Sequence, residues 1–177
     1  MLQRWRIRRR NRAVVDRIYD ALVALTRQPD LYLACGIEDS FAGRFEALAI
    51  HVHLLLRRCR TEKALAPLAQ EVVDRFVSDV EFTIRELGVG DQSVPKRMRR
   101  LTGVFYERAV AYDAAFAAPE EAEAALAKAL TGRAVAETGA EDAARRLATY
   151  IVTTEQAFAA VSADDILTGR LSAENRS

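Results

Sequence analysis

Four cations at the start of one segment, Lys96, Arg97, Arg99 and Arg100, are the residues of this chain best placed to do chemistry. Ser93 and Pro95 mark a helix start just before them, so they fall in the first turns of a predicted helix. The positive end of the helix dipole disfavours cations there by about 0.3–1 kcal/mol each at low salt. Places where local preference is overridden are more often functional than the rest of a sequence. The chemistry on offer is binding, to an acidic or phosphate-bearing partner. The plainer reading is a solvated helix start, partly offset by Asp91. Gly88, Gly90, Asp91 and Ser93 form the turn that would present the cations, and glycines two apart suit positive φ or a close backbone approach. Farther along, Phe105 and Tyr112 fall on an apolar stripe, whereas Tyr106 lies beside it and is the surface candidate.

A second basic feature is the N-terminal segment, with Arg4, Trp5, Arg6, Arg8, Arg9 and Arg10 and no acid up to Arg12. Such a segment could dock on an anionic membrane surface, at about 1 kcal/mol per basic residue near the lipid. It could equally contact the phosphates of RNA in a salt-dependent way, or be a solvated tail.

The remaining candidates carry little chemistry. His51 and His53 look like metal ligands, but residues two apart on a helix point about 200° apart and cannot chelate one ion. Zinc on a helix wants a spacing of four, so both read as histidines at the edge of the core. Cys35 and Cys59 have no short-spacing motif, which argues for a reducing compartment. Cys59 lies on an apolar stripe, where a small buried thiol is ordinary. There is no nucleophile elbow, phosphate-binding loop or dinucleotide fingerprint. Glu120, Glu121 and Glu123, like Glu141 and Asp142, read as first-turn acids that suit the dipole. The expectation is therefore a non-enzymatic protein without metal, cofactor or small-molecule substrate.

The elements that position these residues are helical. The chain has 177 residues, half of them hydrophobic, few aromatic, with a net charge of +1. That length suits one domain, and its Ala, Leu, Arg and Glu content favours helix over sheet. We read an all-α, single-domain bundle of six to seven helices: a basic arm over 1–12, a helical domain over 13–170 and a frayed tail over 171–177. The first helix runs from about Asn11 to Arg27, with Val14, Ile18, Leu22 and Leu25 at helical spacing. Pro29 ends it, and a short helical turn then stops at Gly36. The next starts at Asp39 or Ser40 and is apolar most of the way round, as suits a central helix. Its last turn carries Arg57, Arg58 and Arg60, which suit the dipole.

A third long helix spans about Pro67–Leu87, with Leu68, Val72, Phe76, Val80, Ile84 and Leu87 inward. The basic helix follows, with Met98, Leu101, Phe105, Ala109, Tyr112 and Phe116 as a core seam. A short helix from Pro119 to about Leu130, a loop over 131–139, a last long helix near 140–161 and a turn near 164–167 complete the chain. No window reaches the roughly 18 apolar residues of a membrane span, and no secretory leader is expected.

Three stretches, in order, resemble the ubiquinol–cytochrome c chaperone family, the assembly factors of the cytochrome bc1 complex. They are Gln28-Pro29-Asp30-Leu31-Tyr32 with Gly36-Ile37; Gly43-Arg44-Phe45-Glu46 through His51-Val52 to Leu56-Arg57-Arg58; and Gly88-Val89-Gly90-Asp91 with Ser93-Val94, the basic cluster, Phe105-Tyr106 and Ala111-Tyr112-Asp113. The likeness covers roughly residues 18–117 and is that of an alphaproteobacterial member. Pro95 departs from the family pattern, where a small residue is commoner, and so do His53 and Cys59, at positions more often apolar.

The resemblance implies a helical, non-enzymatic chaperone that binds newly made cytochrome b or a bc1 assembly intermediate. It would work in the cytoplasm, peripherally on the inner membrane. The mitochondrial relatives act with a small partner protein near the ribosomal tunnel exit. The ribosome, an anionic membrane surface and a small partner protein are therefore candidate partners here. The alternative, from the arginines alone, is a basic helical protein that binds RNA or the ribosome.

Overall fold

The computed structural model describes residues 2–171, and the side chains of residues 12–171. The arm residues Arg4–Arg10, as contacts, and the tail beyond 171 lie outside these described side chains. Eight helices follow in order: α1 Leu2–Thr26, α2 Pro29–Leu33, α3 Phe41–Cys59, α4 Ala66–Glu86, α5 Val94–Ala115, α6 Ala122–Leu130, α7 Glu141–Ala160 and α8 Ala163–Leu167. Two 3₁₀ turns, Lys63–Leu65 and Pro119–Glu121, lead into α4 and α6. Among the described residues the only β pairing is an isolated bridge between Thr131 and Val135. The all-α expectation holds. The count exceeds it because α2 and α8, of five residues each, are helices in their own right. The backbone helix of α1 begins at Leu2 rather than near Asn11, so helical backbone continues through the arginine segment.

α3 is the central element and packs against α1, α4 and α7; α6 packs against α5 and α7. Ile50 and Leu54 are as buried as Val52 and Leu55, so α3 is covered from more than one side. Each such side chain contributes about 1.5–3 kcal/mol on burial. Its start is set by Ser40, whose hydroxyl accepts from the Gly43 N–H at 3.2 Å, an ordinary N-cap. Gly43 is required, because a Cβ there would lie 1.9 Å from the Glu38 carbonyl oxygen.

Arg58 does more than suit the dipole of α3. It is buried, donates to the Val161 carbonyl at 2.9 and 3.1 Å, and to Thr61 Oγ1 and Glu62 at 2.8 and 2.9 Å. It thereby ties the end of α3 to the end of α7. Between α3 and α5, Arg108 pairs with Glu46 at 3.1 Å, both side chains about a tenth exposed. Removing one partner of such a pair costs about 3–5 kcal/mol, because the other charge is left buried alone.

Candidate functional site

The turn between α4 and α5 ends α4 in a Schellman arrangement. Gly88 has φ +77°, its N–H donates to the Arg85 carbonyl at 2.9 Å, and the Val89 N–H donates to Ile84 at 3.4 Å. The left-handed backbone is what this motif needs at that residue. Gly90 has neither a positive φ nor a close neighbour, contrary to the expectation for both glycines. Ser93 stands at the N-cap position of α5, but its hydroxyl makes no capping bond. Its backbone φ and ψ, −90° and −21°, are already helical, and capping needs an extended residue there. Leu87, expected inward, is exposed at the helix end.

Asp91 does not offset the basic cluster. It pairs with Arg85, which also binds Glu81 at 2.9 Å. Lys96, Arg97, Arg99 and Arg100 are all exposed, and none of their side chains has an acid or hydrogen-bond partner among the described residues. Their unfavourable placement on the helix dipole is uncompensated within the described fold.

An apolar cleft lies between α4 and α5, and Met98 and Leu101, the sequence neighbours of these cations, line it. Near the turn it is lined by Phe76, Val77 and Val80 from α4 and by Met98, Leu101 and Phe105 from α5. It widens toward the far end to a cavity of about 460 Å³, lined by Ala66, Ala69 and Val73 opposite Phe105, Tyr106 and Val110. The expected seam of α5 is thus buried at Phe105, Tyr112 and Phe116, while Met98 and Leu101 are only half-buried and open on the cleft. Tyr106 is 62 % exposed and Val110 71 %. Sequence reasoning placed Tyr106 at the surface and missed Val110, whose spacing of four from Tyr106 was the available signal.

The far end of the cleft is polar. Asp113 accepts from Arg60 at 2.7 and 2.8 Å and lies 3.5 Å from Arg57, which also binds Glu155. Burial would raise the Asp113 carboxyl, but the Arg60 hydrogen bond and the charges of His53, Arg60 and Arg57 hold it below the ordinary value. His53 is buried, and its Nε2 lies 3.4 Å from Asp113 Oδ1 without a hydrogen bond. Burial pushes His53 down to about 4, against the pull of Asp113 and with the push of Arg60 and Arg57. His51 is fully buried and satisfied: Nδ1 meets the Ala47 carbonyl and Nε2 the Tyr150 hydroxyl, each at 2.7 Å. The two histidines serve different neighbours, in keeping with their angular spacing. Among the described residues no group of three or more His, Cys, Asp and Glu could hold a metal. Both cysteines are free and buried, and burial pushes the Cys59 thiol up to about 11, away from a reactive thiolate.

The fold is thus a helical scaffold with exposed cations on one of the two helices that line its apolar cleft. The comparison that decides its family covers most of the fold: residues 33–173 match the ubiquinol-cytochrome c chaperone family. The chain belongs to that family. The chain is similar to a solved structure, the Cbp3 homolog from Brucella abortus. They share 38 % identity and a TM-score of 0.85, covering 98 % of this chain and 96 % of that one. It is also 29 % identical over 98 residues to the mouse ubiquinol-cytochrome c reductase complex assembly factor 1. That match takes in 55 % of this chain but a third of the mouse protein's length. The family resemblance read from the three motifs is thereby borne out. The matched region includes the turn, the basic cluster and the cleft. Among the described residues no helix is long and apolar enough to cross a membrane.

Proposed function

We propose that this chain is an assembly chaperone for the cytochrome bc1 complex that binds newly made cytochrome b, or an assembly intermediate containing it, next to the membrane. The observation that carries the reading is the set of four unpaired cations, Lys96, Arg97, Arg99 and Arg100, on the first turns of the helix whose Met98 and Leu101 line the apolar α4–α5 cleft. Family membership and the likeness to a mouse ubiquinol-cytochrome c reductase complex assembly factor support it. The cleft offers apolar cover to a hydrophobic client segment before it is packed into its complex. The cations hold acidic loops or anionic lipid headgroups beside it. In this reading the protein acts by binding alone, with Tyr106 at the cleft rim as a contact.

Recovery of the tagged chain from source-cell membranes in mild detergent tests this. Cytochrome b should be enriched over other membrane proteins, and reversing all four cations to Glu should remove the enrichment while Tm stays within a few degrees. Equal recovery by the reversed variant would refute the role of the cations. Recovery of RNA and ribosomal proteins alone, falling steeply with salt, would favour the RNA-binding reading instead.

A further inference from the structure

The outer face of α5 carries a second seam, distinct from the one that packs into the core. Lys96, Arg99, Gly103, Tyr106 and Val110 follow one another at intervals of three, four, three and four. That is the spacing at which one helix meets another. Tyr106 and Val110 are 62 % and 71 % exposed. The face therefore has the pattern of a helix interface and no helix on it among the described residues.

Gly103 sits between the cations and the apolar pair, in the middle of a 22-residue helix. Glycine is among the worst residues for a helix interior. Here nothing in the fold requires it: a Cβ built on Gly103 would meet no atom within 4 Å. What glycine provides is a flat spot, where the backbone of a second helix can come close.

The charges give the occupant a direction. The seam is cationic at its start, and the α5 dipole adds positive character at the same end. At its far end lies Asp113, already held by Arg57 and Arg60. A second helix is best matched when its negative end, with its own acids, lies beside Lys96 and Arg99. Lys96 to Val110 spans about 21 Å at 1.5 Å per residue, room for a helix of about 14 residues. The chain's own N-terminal segment is basic, so its charge opposes that site. A phosphate backbone or lipid headgroup would satisfy the cations but would leave Tyr106, Val110 and the gap at Gly103 unused.

We propose that the outer face of α5 seats one helix of a protein partner, packed antiparallel to α5 with its closest approach at Gly103, apolar along its middle and acidic at its C-terminal end. The proposal deepens the client-binding reading above, and a defined probe separates the two. The probe is a fluorescent synthetic helix of about 14 residues with a Leu/Ala stripe and three Glu at its C-terminal end. Its control has the same composition with the Glu at the N-terminal end. By fluorescence anisotropy on the full chain, the first should bind at least tenfold more tightly than the control.

Gly103→Gln should raise the Tm of the free chain and weaken probe binding at least tenfold. Val110→Glu should weaken it similarly with Tm unchanged. Indifference to the placement of the Glu residues, no binding of either peptide, or undiminished binding by Gly103→Gln would overturn the proposal. So would a fall in Tm for Gly103→Gln, which would make the glycine structural. Self-association of the wild type that Gly103→Gln abolishes, seen by sedimentation, would assign the face to a second copy and overturn it too. Cytochrome b recovered as well by Gly103→Gln as by wild type would leave the client reading standing and sink only this face.

Discussion

At the scale of single residues, His53 is the side chain whose environment has the clearest measurable consequence. It is buried on α3 against the edge of Tyr112, with ring centroids 5.7 Å apart, and its Nε2 lacks a hydrogen bond. Asp113, Arg57 and Arg60 surround that nitrogen from α5 and from the end of α3. Its pKa of about 4 in the fold lies below the ordinary 6.5, so the unfolded chain binds the proton first. Stability is complete above about pH 6.5 and is lost as pH falls toward 4, by up to about 3 kcal/mol. Burial lowers His51 as well, which acts in the same direction. The urea midpoint should therefore fall between pH 7.5 and pH 5, and His53→Gln should flatten that dependence. A midpoint independent of pH in the wild type would contradict the burial of both rings. The angular spacing of the two histidines was readable in the sequence. The triad of Asp113, Arg57 and Arg60 was not, since it exists only once α3 and α5 are packed together.

At the scale of elements, the α4–α5 turn separates two glycines that look alike on paper. Gly88 occupies left-handed backbone, so Gly88→Ala should cost roughly 1–2 kcal/mol. Gly90 has ordinary φ and open space around it, so Gly90→Ala should be neutral or stabilising by up to about 1 kcal/mol. Paired urea titrations check both, and equal costs would contradict the capping geometry described here. Helix identity was legible because apolar side chains recur at helical spacing and because Pro29, Gly36, Gly88 and Gly169 punctuate the chain. Ser93 misled because residue type alone does not reveal that the backbone is already helical before the cap. Leu87 misled because it continues the buried face of α4 one turn past the point where anything covers it. Asp91 belongs to Arg85, six positions earlier, rather than to the cations that follow it. The four cations themselves were legible as a violation of the dipole rule, and their isolation in the fold sharpens that signal.

At the scale of the whole molecule, the fold is a helical bundle whose interior uses its charged groups on itself. Arg58 ties α3 to α7, Arg108 neutralises Glu46, and Arg57 and Arg60 share Asp113. The cations at the start of α5 are the contrast: exposed, unpaired and next to an apolar cleft and an unfilled helical seam. That face lies within residues 33–173, the part of the chain that matches the ubiquinol-cytochrome c chaperone family. If, as proposed, bc1 assembly needs this protein, the decisive quantity is the amount of assembled bc1 complex in membranes of a source-cell strain lacking the chain, read by native electrophoresis and the cytochrome b absorbance. Loss of the complex, with other respiratory complexes unchanged, is the expected result. Re-expressed wild type should restore it, and the four-cation reversal should not. Normal levels of assembled complex in the absence of the chain would contradict it.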